Sequence, residues 1–360
     1  MFVVFALIML TVSLNDTTDC SYFIEEPPIE EPQPYDDDNS AENFIRHIEI
    51  TCVIVGILIN SAFIFTLYRV QDTMRTTTNI YLANLAVADC LLSTSQLIVF
   101  WTPITNRFSC GIPPLLFYMF SFVSVFFISL VALERYMAIC KPALHRQTNS
   151  RTRAFRLSLT AWIASFVIVA CHGGSISIDE VCIAMPKAPG FSIHLSVCQI
   201  QDWAYVSINM IDSCQFVLAF VGNCELYMCI VRRLHQRKCN EQRRIHERNH
   251  VAKMLAINAC VFFILSTPIQ ILNLIKLTFH FANLNNNQLK TSELGMSILR
   301  RIAKIAFILN SAVNPLIYSA FNSDYRKAFR RAFTCTKRRR NPLPVQRRRQ
   351  PANKEEEGTL

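Results

Sequence analysis

Asn314-Pro315-Leu316-Ile317-Tyr318 closes the last long apolar run of this chain, and its reading decides the fold. Inside a helix, proline removes one backbone hydrogen bond and crowds the preceding turn, at a cost of about 3 kcal/mol or more. A bilayer holds no water for the carbonyl so freed, and neighbouring polar groups must serve it. Asn314 is the residue expected to do so. The pentapeptide therefore reads as a supported kink in a membrane-spanning helix.

Composition agrees. Hydrophobic residues make up 51% of the chain and charged residues 17%, against about 25% charged in soluble domains. A spanning helix needs ~20 mostly apolar residues. Seven runs approach or exceed that length: Ile48–Tyr68, Ile80–Trp101, Ile112–Ile139, Leu157–Cys171, Ala204–Val231, Val251–Leu277 and Ile298–Phe321. The fourth is short and draws on flanking residues. A further run, Phe2–Leu14, is too short to span and has no basic lead-in. It is either a signal peptide or a mobile apolar tail.

Basic residues set the orientation, because they concentrate on cytoplasmic loops. The tail before Arg46 has no Lys or Arg and carries Glu25, Glu26, Glu30, Glu31, Asp36, Asp37, Asp38 and Glu42. The opposite side holds Lys141, Arg146, Arg151, Arg153 and Arg156, then a second cluster from Arg232 to Arg248 and a third from Lys337 to Arg349. Attached to seven spans, such clusters meet anionic lipid and not nucleic acid. The N-terminus is expected outside, in a plasma-membrane protein. Most of the fourteen cysteines sit in apolar runs and form no metal-like spacing.

Glu134-Arg135-Tyr136 stands at the cytoplasmic end of the third run. With the Asn-Pro pentapeptide, it makes the chain resemble the rhodopsin-like (class A) G-protein-coupled receptors, over roughly residues 43–333. The resemblance implies an all-α membrane protein, a seven-transmembrane helix bundle with a short amphipathic eighth helix. It implies an extracellular ligand, a heterotrimeric G protein and arrestin-type regulators as partners, and no enzymatic activity. The family joins the cysteine that opens helix three, here Cys110, to one in the second extracellular loop. Cys182 and Cys198 compete for it; Cys198 has the family-like distance from helix five, and the other pairs with Cys20 or stays free. Asp89 in helix two, Ser124, Asn310, Ser311 and Asn314 match the family's sodium site, with Asn60 nearby. The alternative is a hydrogen-bonded cluster without an ion, since a mid-bilayer carboxylate must in either case face inward to partners. Arg135 resembles the arginine that pairs with Glu134 at rest and turns toward Tyr227 and Tyr318 on activation.

The departures are specific. Ser266 stands two residues before Pro268, where the family has a Trp toggle, and Ala219 replaces the proline of helix five. The proline of helix four is replaced by His172 or nothing. Phe262 and Val125 remain beside Ala219 in the packing relay, and Ala143 follows Pro142 where a large apolar residue often enters the G protein. Ile308 occupies the position of the opsin lysine and Phe117 that of the aminergic aspartate, which argues against both. Arg248 takes the place of an acidic partner on helix six, with Glu247 adjacent.

Met74 to Asn79, running into Tyr81-Leu82-Ala83-Asn84-Leu85, resembles neuropeptide receptors of the neuromedin and thyrotropin-releasing-hormone type. A peptide ligand is the expectation, with a non-signalling scavenger or decoy receptor as the alternative. Candidate ligand contacts in the outer half are Phe117, Tyr118, Asp212, Gln270, Asn273, Lys276, Arg300 and Lys304. Asp212, ionisable within an apolar span, contacts ligand or else pairs internally with His172 or Lys304. Residues 1–43 read as the extracellular tail, with a glycosylation sequon at Asn15 and Tyr35 in an acidic setting suited to sulfation. Residues 44–322 form the receptor domain. Residues 323–334 form an amphipathic helix suited to lying along the membrane. Residues 335–360 form a disordered basic tail, with Cys335 either palmitoylated or a free thiol.

Overall fold

The computed structural model describes residues 38–70, 74, 76–101, 107–184, 192–236, 242–282 and 293–334. Asn15, Cys20, Tyr35 and Cys335 lie outside them, as do the side chains of Cys182, Cys198, Glu247 and Arg248.

The helices are α1 (Asp38–Arg69), α2 (Thr77–Trp101), α3 (Arg107–Cys140), a short α4 (Pro142–Thr148) and α5 (Arg151–Ala170). After a hairpin come α6 (Asp202–Gln236), α7 (Gln242–Ala282), α8 (Glu293–Phe321) and α9 (Ser323–Phe333). Among the described residues, six stretches, in α1, α3, α5, α6, α7 and α8, are long and apolar enough to cross a bilayer. The seventh bundle helix, α2, carries Asn79, Asn84, Asp89, Ser93, Thr94, Ser95 and Gln96 within an otherwise apolar sequence. Asp89, Ser93, Ser95 and Gln96 are buried in the bundle, and Asn84 Oδ1 accepts from Trp162 Nε1 of α5 at 3.1 Å, while Thr94 is exposed.

α3 is the central helix, packing on α2, α5, α6 and α7, while α8 closes the ring between α7 and α1. One core gathers Phe63, Phe127, Met254, Phe262 and Tyr318; a second, toward the hairpin, gathers Phe120, Phe122 and Ile208. α5 starts at Arg151, six residues before the apolar run, because Ser150 caps it by accepting from Arg153 N at 3.1 Å. His172 stands beyond its C-terminus, in the turn before a 3-10 helix at Gly173–Ser175, so it holds no place within helix four.

Two features were not anticipated. α4 forms within the loop that the sequence left irregular. The loop before α6 is an antiparallel hairpin, β1 (Ile176–Ala184) with β2 (Ser192–Ile200), in the register Ile178 to Cys198 and Cys182 to His194. It lies against α3, where a Cβ added to Gly111 would meet Ile176 Cδ1 at 3.1 Å; glycine there permits the close approach.

The expected amphipathic helix is α9. Asn322 caps it by accepting from Asp324 N at 2.8 Å, and it buries Tyr325, Ala328 and Ala332. Phe329 and Phe333 remain exposed on it. Arg326 donates to the carbonyls of Ser319 and Ala320 at 3.0 and 2.8 Å, serving the end of α8.

Candidate functional site

Pro315 cannot donate to the carbonyl four residues back, that of Ser311. Asn60 Nδ2 of α1 donates to this oxygen at 2.8 Å. The sequence reading gave that task to Asn314, and the structure corrects it. Asn314 Nδ2 donates to Asp89 Oδ2 at 2.7 Å instead, and Ser124 Oγ donates to Asp89 Oδ1 at 3.1 Å. The freed carbonyl is thus served from α1, and the local amide is released to hold a carboxylate between α2, α3 and α8.

The polar core extends from there. Ser93 and Ser311 hydroxyls lie 3.3 Å apart, and Asn310 Nδ2 donates to Ser266 Oγ at 2.9 Å. Ser266 therefore joins α7 to α8 by a hydrogen bond at the position where a Trp ring was absent. A cavity of about 20 Å³ runs beside it, lined by Asp89, Ser124, Asn310, Ser311, Ser266, Phe262, Gln270 and Asp212 among others. Among the described residues, Asn310 Oδ1 is a buried acceptor without a partner. The five residues matched to a sodium site are thus together around Asp89, and an orphan acceptor and a small cavity fit a single small cation.

Phe262, Val125 and Ala219 share one core, as expected of the packing relay. Phe262 meets Phe263 edge to face at 5.4 Å, and Phe263 meets Phe216 and Phe220 of α6 at 5.5 and 5.3 Å. Pro268 lies within α7 without ending it.

At the α9 end, the arginine does not take its neighbour as partner. Arg135 Nη2 donates to Thr78 Oγ1, whereas Glu134 Oε1 accepts from Thr77 Oγ1 at 2.6 Å and lies 3.9 Å from His145 Nε2 of α4. Adjacent α2 threonines divide the pair that the resemblance joined. Tyr136 lies under Lys141 Nζ at 5.7 Å. Tyr227, Tyr318 and Asn258 line one small gap. Tyr325, which the sequence reading assigned only to an amphipathic face, donates its hydroxyl to Asn79 Oδ1 and stacks with Phe63 at 5.8 Å and Tyr318 at 6.0 Å. Burial pushes that hydroxyl up to about 12, against the lowering pull of the Arg135 charge. A cavity of about 420 Å³ at this end is lined by Arg135, Asn79, Tyr325, Lys327 and Arg331, with Asp324 on its rim.

Toward the hairpin, Asp212 is buried on α6. Its Oδ2 accepts from Gln270 Nε2 at 2.7 Å and from Asn273 Nδ2 at 3.2 Å, both on α7. The expected internal partners are engaged elsewhere. His172 meets the Ile168 carbonyl at 2.7 Å and Ser207 Oγ at 2.9 Å. Lys304 pairs with Glu49 Oε2 of α1 at 2.6 Å. Glu49 was missed because it stands one helical turn from the outer edge of its span, where a lone carboxylate reads as flanking polarity. Phe117 packs on Phe307 at 5.0 Å and on Tyr118 at 5.8 Å, and Tyr118 donates to Asn209 Oδ1 at 3.3 Å. Lys276 and Arg300 are exposed, apart from the Asp212 cluster.

Cys110 is disulfide-bonded, and its Sγ lies 3.6 Å from the Ser177 carbonyl oxygen at the start of β1. Residues 59–318 match the family of 7 transmembrane receptors (rhodopsin family).

Proposed function

The chain belongs to the rhodopsin family of seven-transmembrane receptors, and from that premise we propose that it is a plasma-membrane receptor for an extracellular peptide, activating a heterotrimeric G protein. The observation that carries this reading is the Arg135 end. There a half-buried arginine, whose side-chain hydrogen bond among the described residues goes to Thr78, shares a cavity of about 420 Å³ with Tyr325, Lys327 and Arg331. A neutral hydroxyl holds a guanidinium less firmly than a carboxylate does, so Arg135 is poised to exchange Thr78 for Tyr227 or a protein segment entering the cavity. Arrestin-type regulators would use the same opening.

Orientation follows the charge. The basic α9 end faces the cytoplasm and the hairpin faces outward, below the acidic tail. Phe117, Tyr118, Asp212, Gln270 and Asn273 would form the floor for a ligand, with Lys276, Arg300 and the Glu49–Lys304 pair at its rim. A bulky peptide suits this spread of aromatic and ionisable groups better than a single ammonium does. Sodium would be held by Asp89, Ser124, Asn310, Ser311 and Asn314, neutralising the carboxylate and favouring the resting arrangement. Ligand displacement of α7 would be passed inward by Phe262 and by the Ser266–Asn310 hydrogen bond.

A scavenger of the same fold remains the second reading, kept by Ser266, Ala219 and Ala143. The test is a screen of cells expressing the full chain against a neuropeptide library, with calcium and cyclic-nucleotide readouts. A peptide that changes either signal supports the receptor reading. A peptide that is bound and internalised with neither signal supports the scavenger.

A further inference from the structure

Asp212 is a carboxylate inside the bundle, and among the described residues no cation meets it. Lys304 is bound to Glu49 and His172 to Ser207 and Ile168. Gln270 and Asn273 give it two amide hydrogen bonds, and both fall on Oδ2. Among the described residues no side chain donates to Oδ1, and Gln270 Oε1 is a buried acceptor without a partner there, on a residue only 8% exposed. Both residues line the cavity of about 20 Å³ that continues past Ser266 to Asp89. A space of that size admits one water-sized body. Its walls at the Asp212 end offer acceptors, and a buried charge needs a counter-charge or a proton.

We propose that a second small monovalent cation position lies at the Asp212 end of this cavity, formed by Asp212 Oδ1, Gln270 Oε1 and Ser266 Oγ. It is separate from the position around Asp89, Ser124, Asn310, Ser311 and Asn314, and a cavity of about 20 Å³ holds one ion at a time, at one end or the other. The small side chain at 266 is what opens the cavity between the two carboxylates. Two positions so close would not fill independently, and the second fills while the first is empty.

The test is the thermal unfolding of the purified full-length receptor in sodium chloride against N-methylglucamine chloride at equal ionic strength, with no ligand. An ion that binds only the folded state raises the midpoint as its concentration rises. Asp89→Asn is expected to keep about half of the native sodium-dependent rise. Adding Gln270→Leu, or Ser266→Leu to fill the space, removes that remainder, and potassium supports a smaller rise than sodium. Complete loss of the sodium response in Asp89→Asn alone overturns the second position and leaves the first intact. Persistence of the remainder in both double variants also overturns it. A native receptor indifferent to sodium overturns both positions together.

Discussion

Asp89 and Asp212 are buried carboxylates on one cavity, yet the halves of the bundle around them are built differently. Asp89 takes donors from α3 and α8 while standing on α2, so three helices meet at one side chain. Asp212 takes both donors from α7, at positions three residues apart. The inner half is a junction, in which moving any helix disturbs the hydrogen bonds of the others. The hairpin half is a two-helix clasp that can open when α7 moves. A receptor needs both: a shared reference inside and a compliant outer wall.

Cys110, beside the start of β1, is disulfide-bonded, and losing that bond sets the largest expected effect. Loss of a native disulfide costs about 2–5 kcal/mol in small secreted domains. We propose Cys198 as the partner of Cys110, since it stands opposite Ile178, next to the Ser177 carbonyl that Cys110 approaches, whereas Cys182 stands opposite His194. Cys110→Ser and Cys198→Ser should each abolish surface expression or ligand binding, and Cys182→Ser should be milder. Peptide mapping that finds Cys110 bridged to Cys182 would reverse that assignment.

The contrast between the carboxylates gives the next pair. Asp89→Ala strands the Ser124 and Asn314 donors in three-helix packing, and each unsatisfied buried group costs about 1–3 kcal/mol. A total near 2–4 kcal/mol is expected by thermal unfolding. Asp212→Ala strands Gln270 and Asn273, which can turn toward the cavity or each other, and should cost about 1–2 kcal/mol. Equal losses for the two would erase the distinction between junction and clasp. The smallest effect is at the α9 end. Tyr325→Phe keeps the ring stack with Phe63 and Tyr318 and removes only the hydroxyl to Asn79. It should cost about 1 kcal/mol and speed amide hydrogen exchange in α9.

The bundle was legible because spanning helices need long apolar runs, but hydropathy does not mark where a helix ends. α1, α6, α7 and α8 all continue several residues past their apolar runs into polar sequence, and α5 does so from its Ser150 cap. The Asp89 cluster was legible because polar residues inside such runs have few places to go. What escaped notice were choices among equivalent partners. Asn60 and Asn314 can each serve a proline-freed carbonyl, and only helix placement gives the task to Asn60. Lys304 could meet Asp212 or Glu49, and the approach of α8 to α1 decides for Glu49. Thr77 and Thr78 looked like unremarkable loop polarity, but their position at the start of α2 brings them to Glu134 and Arg135. The hairpin escaped too, although Ser192 to Val197 alternate polar and apolar residues, a strand signal overlooked in a loop between two spans.

Guanine-nucleotide exchange on purified G protein, reconstituted with the full-length receptor and the peptide found by screening, tests the central claim most directly. The native chain should accelerate exchange when the peptide is added, and Arg135→Ala should lose that acceleration while binding the peptide with an affinity within about threefold, under 1 kcal/mol. Saturating peptide that leaves exchange at the receptor-free rate, across the G-protein subtypes, would contradict the account and leave a binding protein with a silent switch.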